Sequence, residues 1–535
     1  MKKLQYILVV YALLIGYPCT TLAQDTTFNR VVTVERDYQP NIDHATIIPI
    51  QPAVLQVDVN PNPVVYSTYS SPLSIGYNIH SLQPAEIRFT PPTPPNGLLD
   101  GAIGHHNTHL NFLYQLRKKS KFTTDVYAKH DAYWGSNNTL SYSQIGLQGN
   151  LVFKKSKFYF GVDGYNQAYS INEQNHLQSL YHATAHLGIC SEPQTHLQYK
   201  VQVGYKAFFT PINIEHQVHS NVDIYWSEGT HKGGIRSFAQ NNFYAESKAI
   251  HNIRLQPFYS FNEEKIKLEV GVNVDMNIGT GQLLTNVADL SVAPSPHVKV
   301  EWLAVPKLLN IHAEVEGSLA MGTMEEKLHA NRYFDLQLLS NKRDSSTYTP
   351  VAANVGITLH PLRTMVLDIY GGYSLYINDY TMQAVRNSAS LVSYYSYLLH
   401  DYQRGHVGAS LHYHFRDIIT LNAKGNYYFW KNLSDNLPVY DRPDWDADLR
   451  IDVNVGPKWS LYFDNHLEGT RLAHTTTQDE KLPMVIDLNF GTQYNINRWL
   501  NVYLQLGNYL HRKNPIYYDY NTQGCHFLAG VKYAF

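Results

Sequence analysis

Polar side chains recur at alternate positions in several stretches, and these residues are best placed to do chemistry. Between Trp445 and Val455 the alternate residues include Asp446, Asp448, Arg450 and Asp452. Glu314 and Glu316 occupy equivalent positions between Leu309 and Leu319. A spacing of two places such side chains on one face of a β-strand, where they can pair with each other or contact a polar solute. The sequence leaves both interpretations open.

The 26 histidines raise the question of a metal site. The closest clusters are His105-His106 and His412-x-His414. Two imidazoles, with no Cys or carboxylate at ligand spacing, do not make a site. We therefore predict no metal site and no cofactor.

Catalysis has no support in the sequence either. Ser, His and Asp are plentiful, but no nucleophile elbow or paired constellation stands out. Lys232-Gly233-Gly234 lacks the strand-to-helix context of a phosphate-binding loop. We expect that the chain is not an enzyme.

The composition narrows the class of protein. A net charge of -2 argues against a nucleic-acid partner. Aromatic residues make up 13% of the chain, including 42 Tyr, which suits aromatic girdles at two membrane interfaces. Beyond the N-terminal stretch, no segment approaches the ~18 consecutive apolar residues of a membrane-spanning helix. Cys190 and Cys525 are predicted to be free thiols, although one bridge between them stays an alternative.

The first 23 residues have the layout of a secretory signal peptide. Met1-Lys2-Lys3 is cationic, Leu4 to Tyr17 is apolar, and small residues precede a cleavage site between Ala23 and Gln24. The apolar run is shorter than the ~20 residues that a spanning helix needs. Tyr17-Pro18 disfavours lipidation at Cys19. The mature chain is therefore predicted to lie outside the cytoplasm.

A hairpin rhythm begins at residue 97. From Lys265 to Ile278, apolar residues alternate with polar ones, a pattern that a strand aligns and a helix would scatter. Short connections and mostly longer ones alternate along the chain between such stretches. The longest connections are Thr323–Tyr348, Asn378–Asp401 and Lys431–Asp444. The ten short ones fall near Lys118–Lys121, Lys154–Lys157, Ser191–Thr195, Glu228–Lys232, Asn262–Glu264, Val305–Lys307, Pro361–Arg363, Arg416–Asp417, Gly456–Lys458 and Asn495–Arg498.

Segregation of loop length is typical of outer-membrane barrels. The sequence therefore predicts an all-β fold, a transmembrane antiparallel β-barrel over residues 97–535 with short periplasmic turns and long extracellular loops. Ten short turns and two chain ends imply about 22 strands, within a range of about 16 to 24.

The chain ends on an alternating strand that carries Phe527, Val531, Tyr533 and Phe535 on one face. Such a strand must pair with the first strand, because no sheet edge can remain in lipid. The arrangement resembles the C-terminal signature of outer-membrane barrels, which the barrel-assembly machinery reads during insertion. We expect the four residues to face the lipid of the outer membrane.

The last strands carry a family resemblance. The stretch from Pro483 to Phe535, with Leu504-Gln505-Leu506-Gly507-Asn508-Tyr509-Leu510 before the final loop, looks like the closing strands of TonB-dependent receptors. The resemblance covers the barrel and implies a receptor that binds or transports a solute across the outer membrane of a Gram-negative cell. Those receptors carry a globular plug, whereas residues 24–96 form a short segment with eleven of the 25 Pro. We predict an extended periplasmic or lumenal segment instead of a plug.

This N-terminal segment contains a short apolar motif, Val31-Val32-Thr33-Val34-Glu35. It resembles a TonB box, the segment through which a periplasmic partner pulls on such receptors by adding a strand. An ordinary linker patch is the alternative, as is a docking strap for a periplasmic or lipoprotein partner.

Two other functions remain open at this level. One is a structural barrel that anchors a multi-protein envelope complex through the N-terminal segment, and the other is a passive porin. A barrel of this size also needs something to close it. The Pro-rich segment, inward-folded loops and a partner chain are the three candidates.

Overall fold

A computed structural model of the chain describes residues 96–118, 121–134, 139–170, 177–192, 195–244, 247–279, 290–336, 346–385, 394–434 and 437–535. The predicted signal peptide, its cleavage site at Ala23 and Gln24, and the Val31–Glu35 motif lie outside the described residues. So does the rest of the Pro-rich segment before Asn96. Cys190 and Cys525 are both free thiols.

The described chain is almost entirely strand. The elements are β1 (Gly97–Gly104), β2 (Asn107–Lys118), β3 (Phe122–Trp134), β4 (Thr139–Val152), β5 (Ser156–Ser170), β6 (Leu177–Ser191), β7 (Leu197–Phe209), β8 (Ile214–Glu228), β9 (His231–Tyr244), β10 (Ser247–Asn262), β11 (Ile266–Ile278), β12 (Leu290–Val305), β13 (Leu309–Met321), helix α1 (Met324–Ala330), β14 (Ser346–Leu362), β15 (Met365–Val385), β16 (Tyr394–Phe415), β17 (Ile419–Asn432), β18 (Trp445–Val455), β19 (Trp459–Glu468), β20 (Arg471–Thr475), β21 (Asp479–Leu482), β22 (Val485–Asn495), β23 (Leu500–Gly507), β24 (Pro515–Tyr517), β25 (Tyr520–Asn521) and β26 (His526–Ala534).

Twenty-two of these strands form a closed antiparallel barrel. Each wall strand pairs with the next along the chain, except that the wall runs from β19 to β22 and from β23 to β26. The hairpins β20–β21 and β24–β25 lie in the two loops that are skipped. The barrel closes where β1 pairs with β26, from Leu98 opposite Ala534 to Gly104 opposite Leu528. The predicted barrel and its strand number are confirmed.

The alternation along each strand separates an apolar outer face from a polar inner face. In β11, Val272 and Ile278 are exposed on the outer surface, at 48% and 40%. Their neighbours Asn273, Asp275 and Asn277 point the other way and are fully buried. Successive side chains of a strand point to opposite faces of the sheet, and in a closed sheet one face is the outer surface and the other lines the lumen. The polar faces of the strands therefore line the lumen.

The connections differ between the two rims. One rim, here the turn rim, carries ten short connections, and all ten lie where the sequence predicts them. The opposite rim, here the loop rim, carries connections that range from residues 105–106 to residues 322–345. The predicted loop Asn378–Asp401 is mostly strand, because β15 and β16 continue to Val385 and start again at Tyr394.

The C-terminal residue completes the closure at the turn rim. The Phe535 carbonyl accepts a 2.8 Å hydrogen bond from the Gly97 amide, and the Phe535 amide donates one of 2.9 Å to the Gly97 carbonyl. The ring of Phe535 lies over Gly97, where an added Cβ would come within 2.4 Å of it. Phe527, Val531, Tyr533 and Phe535 are all exposed on the outer surface. Their role as an insertion signal stays a prediction.

Candidate functional site

Several loop segments meet at the loop rim and form what we call the loop cap. It consists of residues 322–336 with helix α1, the outer ends of β15 and β16, and the hairpins β20–β21 and β24–β25. The outer end of β16 exchanges main-chain hydrogen bonds with the α1 loop, from Tyr395 N to Tyr333 O (3.0 Å) and from Asp335 N to Tyr395 O (2.9 Å). The outer end of β15 pairs in parallel with β20, where Gln383 lies opposite His474.

A row of tyrosines crosses the cap from one wall of the barrel to the other. Tyr169, at the end of β5, meets Tyr333 edge to face at 6.1 Å. Tyr333 stacks on Tyr520 at 3.5 Å and contacts Tyr517, which contacts Tyr395 on β16 at 5.7 Å. Because β5 and β16 are half a circuit apart in a ring of 22 strands, the row spans the diameter of the mouth.

The tyrosines of the row are buried in a larger apolar core. Tyr517 donates a hydrogen bond to the Ala330 carbonyl, and Tyr395 donates one of 2.8 Å to the Tyr518 carbonyl. Burial raises the pKa of Tyr517 far above its ordinary value, so it stays neutral. The other buried members of this core are Leu180, Phe208, Tyr244, Ile250, Met321, Met324, Leu328, Ala330, Phe334, Met382, Ala384, Tyr397 and Ile516.

The N-terminus of α1 is fixed by a capping box and by the barrel wall. The Thr323 hydroxyl accepts from the Glu326 amide, and the Glu326 carboxylate accepts from the Thr323 amide. Glu215 on β8 accepts from the Met324 amide (2.8 Å) and from the Tyr244 hydroxyl (2.9 Å). The wall strand thus satisfies a helix amide that would otherwise be buried without a partner.

Glu325 joins α1 to the inner face of β5, β6 and β7. Its carboxylate lies 2.7 Å from Lys206 Nζ and 3.3 Å from His182 Nε2, while Tyr165 bonds His329 Nε2 at 2.7 Å. Burial opposes ionisation of Glu325, but the His329 hydrogen bond and the Lys206 charge outweigh it and lower its pKa to about 2. We call these five residues the latch.

The α1 loop reaches the mouth because β13 leaves the wall. The ladder between β12 and β13 ends at His297 opposite Glu316, although both strands continue toward the loop rim. Beyond that point β13 pairs with β14, and side chains of β11 bind its other edge. Asn273 Nδ2 donates to the Gly317 carbonyl (2.8 Å), and Asp275 Oδ2 accepts from the Leu319 amide (3.2 Å).

Two prolines explain why the ladder ends there. The Leu303 amide donates to the Lys265 carbonyl, on the side of β12 that faces β11. Because alternate residues of an antiparallel strand direct their amides to the same side, the odd-numbered residues of β12 direct theirs toward β11. Pro294 and Pro296 therefore face β13, and neither has an N–H to donate. The edge of β12 that β13 would need is missing two donors, so β13 is free to turn inward with α1.

The predicted lumen residues lie on the inner faces of their strands and pair with neighbours. Arg450 lies 3.1 Å from Asp452 and 3.3 Å from Asp464, and Asp448 lies 2.6 Å from His466. These pairs are half-exposed inside the barrel, which is the geometry of a solvated polar wall.

The remaining predicted lumen residues also have partners. Glu314 lies 2.6 Å from Lys299, and Glu316 lies 3.8 Å from the same ammonium group. Asp446 accepts from the Tyr428 hydroxyl at 2.6 Å. A role for these side chains in the path of a solute stays a prediction.

His412 and His414 have ordinary partners, and the rings of His105 and His106 contact each other. His412 bonds Asn422 at 2.6 Å, and His414 bonds Thr420 at 3.0 Å. Within the described ranges, no group of three or more His, Cys, Asp or Glu is arranged to hold a metal ion. No helix among the described residues is both long and apolar enough to cross a membrane.

From the sequence, inward-folded loops are among the candidates for closing the barrel, but the residues of the loop cap are not identified. One local signal was available, since Thr323-Met324-Glu325-Glu326 has the spacing of a capping box and marks a helix start. The tyrosines of Tyr394-Tyr395-Ser396-Tyr397 and Tyr517-Tyr518-Asp519-Tyr520 also stand out in loop regions. No local pattern, however, shows that these segments meet.

The comparisons agree with this architecture. No protein-family profile matches the sequence, and no curated protein matches it. Solved structures of TonB-dependent receptors do match the fold. The siderophore receptor PirA from Acinetobacter baumannii has a TM-score of 0.65 at 8% identity, covering 83% of this chain and 81% of that one.

Two further structures give the same result. The copper transporter OprC has a TM-score of 0.63 at 10% identity, with 83% of this chain and 81% of that chain covered. The ferric-catecholate import receptor Fiu from E. coli K12 has a TM-score of 0.62 at 9% identity, with 83% and 82% covered. The chain therefore has the barrel fold of TonB-dependent receptors, and at these identities the similarity concerns the fold.

Proposed function

We propose that this protein is an outer-membrane receptor or transport barrel, not an enzyme, and that its own loops close the outer mouth. The observation that carries this proposal is the tyrosine row from Tyr169 to Tyr395, which crosses the mouth above a polar lumen. A packed apolar core over a hydrated, ion-paired wall is the arrangement expected of a closed conduit. The fold shared with siderophore receptors and a copper transporter supports the same function.

The construction of the cap supports an opening step. The latch and the ring contacts are made by side chains, and the main-chain bonds of the cap join β16 to the α1 loop and β15 to β20. Releasing the cap therefore breaks no pair of wall strands. A solute that competes for the cap contacts would shift it toward an open state.

The proposed location follows from the outer surface. Exposed aliphatic and aromatic side chains cover the wall, which suits the lipid of the outer membrane in a Gram-negative cell. The barrel-assembly machinery would recognise Phe527, Val531, Tyr533 and Phe535 during insertion. TonB would engage Val31–Glu35 by strand addition, which Thr33→Pro should block because proline removes a hydrogen-bond donor.

Single-channel conductance in planar bilayers tests the closure. The full-length protein should be silent, and Tyr333→Ala with Tyr517→Ala should open large steady pores, because the row loses its centre. Tyr373→Ala is the matched control, since Tyr373 is 39% exposed on the outer face. Free conduction by the full-length protein would favour a passive porin and contradict the proposal.

Deletion of residues 24–96 separates the remaining candidates. If the loops close the barrel, this deletion leaves it silent, and adding the cap substitutions opens it. If the deletion alone opens pores, the Pro-rich segment is the plug. If every variant is silent and Thr33→Pro has no effect on solute uptake, the alternative of a structural barrel that anchors an envelope complex gains support.

A further inference from the structure

Two buried arginines lie against the inner face of β15, β16 and β17. Arg404 lies on β16 and is 5% exposed, and Arg442 lies in the connection between β17 and β18 and is 7% exposed. Arginine is rarely buried to this extent unless its donors are satisfied. Each guanidinium nitrogen of Arg404 and Arg442 is therefore expected to have a hydrogen-bond acceptor.

Several donors of the two guanidinium groups have no acceptor. Arg442 Nη2 donates to the Tyr402 hydroxyl (3.2 Å) and lies 3.5 Å from Asp379 Oδ2, while Nε and Nη1 have no partner. Arg404 Nη2 donates to the Ser374 hydroxyl (3.3 Å), and its Nε has no partner. Three nitrogen donors are left over in this one region.

The nearby carboxylates are already engaged. Asp379 accepts from Tyr402 through Oδ2 and from Thr347 (2.9 Å) through Oδ1. Glu468 binds Arg471 at 2.8 Å. Asp441 adjoins Arg442 in the chain and interacts with it electrostatically. No hydrogen bond joins Asp441 to Arg442 among the described contacts.

Aromatic rings form a continuous contact path between the two guanidinium groups. The rings of Tyr376 and Tyr402 are 4.9 Å apart. Arg404 Cζ lies 5.7 Å from the Tyr376 ring, and Arg442 Cζ lies 5.9 Å from the rings of Tyr402 and Trp430. The Trp430 indole is fixed in turn by a 2.9 Å bond to the Pro443 carbonyl.

We propose that Arg404 and Arg442 form a binding site for an oxyanion, the carboxylate or phosphate group of a small soluble solute. Planar guanidinium groups match these anions, and charge-assisted hydrogen bonds to the unpartnered nitrogens are the strongest that the site can make. A soluble solute is required because the side chains face the lumen, away from the lipid-contacting surface. The proposal rests on the proposed function and adds the chemical class of its solute.

Calorimetric titration of the full-length protein with inorganic phosphate tests the site. The protein is held in a non-ionic detergent at constant ionic strength, with chloride as the reference anion. We expect saturable binding, weakened at least about tenfold by Arg442→Gln and by Arg404→Gln. Arg236→Gln is the matched control, because Arg236 on β9 is another inner-face arginine and already binds Glu269 at 2.7 Å. It should leave the affinity unchanged.

Tryptophan fluorescence provides a second readout. Phosphate should change the emission of the native protein, and Trp430→Phe should remove that change without removing binding. No saturable binding above the chloride reference would overturn the proposal, as would equal weakening by Arg236→Gln. If Arg442→Gln fails to fold, Arg442→Lys keeps the charge but loses the fork, and it should still weaken binding.

Binding is measured without transport, so the site and the proposed function can fail separately. Phosphate binding by a barrel that never opens would support the site and contradict transport. A barrel that opens when the cap is disrupted but never binds phosphate would support closure by the loops and contradict the oxyanion site.

Discussion

The Tyr348 hydroxyl donates a hydrogen bond of 2.6 Å to the main-chain carbonyl of Pro294. Tyr348 lies on β14 and is fully buried, and Pro294 lies in the part of β12 that has lost its β13 partner. A side-chain hydroxyl therefore makes the hydrogen bond to a strand carbonyl that a backbone amide makes elsewhere in the wall. The seam between β12 and β14 is closed by side chains where the rest of the barrel is closed by a ladder.

Removing that hydroxyl should loosen the seam. Tyr348→Phe removes the buried hydroxyl that donates to the Pro294 carbonyl, at a cost of about 1–3 kcal/mol. Hydrogen exchange should quicken in residues 290–296 and 346–352 and stay unchanged in the rest of the barrel. Tyr373→Phe is the control, because its hydroxyl bonds Gln403 at an exposed site. Equal exchange in both variants would show that the seam does not depend on Tyr348.

Pro294 and Pro296 of β12 should determine where the β12–β13 ladder ends. Pro294→Val with Pro296→Val restores two amide donors on the edge that faces β13. We expect the ladder to extend past His297 and Glu316, which would draw β13 toward the wall and weaken the cap. Amide protection in residues 290–296 should rise, and bilayer conductance should increase. Pro257→Val, in a strand that keeps its neighbours, should change neither quantity.

The sequence was sufficient for the wall of the barrel because the wall depends on local alternation. In β18 every second side chain is polar, and the strand has the predicted bounds Trp445–Val455. The same rule failed at the outer ends of β15 and β16, which were predicted as a loop. Tyr395, Ser396 and Tyr397 are all buried there, so both faces are covered and the alternation disappears.

The loop cap could not be predicted for a different reason. Tyr169, Tyr333 and Tyr395 are far apart in the chain, and nothing in their local sequence specifies that they meet. The oxyanion site has the same origin, because Arg404 is on a strand and Arg442 is in a loop. The prolines at 294 and 296 were visible, but their effect depends on which edge of β12 they face, and pairing decides that.

The C-terminal residue should control assembly of the barrel. Phe535→Ala removes the ring that covers Gly97 and weakens recognition by the assembly machinery, so less barrel should reach the membrane. The fraction of SDS-resistant protein in membranes measures this directly. Phe415→Ala is a close control, because both phenylalanines are 40% exposed on the outer surface but Phe415 lies far from the closure. An equal loss in the two variants would mean that Phe535 acts only as an apolar side chain.

Asp441, whose amide donates to the Leu472 carbonyl of β20 at 2.8 Å, should make the cap less stable as pH rises. Burial raises the pKa of its carboxyl from 3.8 to about 6, although Arg471, Arg442 and His474 oppose the change and Glu468 adds to it. Between these values the folded cap binds more protons than the unfolded chain, so stability falls as pH rises through that window, by up to about 3 kcal/mol. Local hydrogen exchange at pH 4 and pH 7 should show this difference. Asp441→Asn should abolish it, and a persistent difference would assign it to another group.

The latch should respond to pH in the opposite direction. The pKa of Glu325 is lowered from 4.5 to about 2, so its ionised form stabilises the docked helix above pH 4.5. That contribution, up to about 3 kcal/mol, should be lost as pH falls from about 4.5 to 2. Glu325→Gln should reproduce the loss at pH 7, because Lys206 loses its charged partner, and it should raise bilayer conductance. Glu301→Gln breaks the exposed pair with Lys267, whose side chains are 51% and 59% exposed, and should have no effect. If Glu325→Gln also leaves the barrel silent and helix α1 protected from exchange, the tyrosine row alone holds the cap closed.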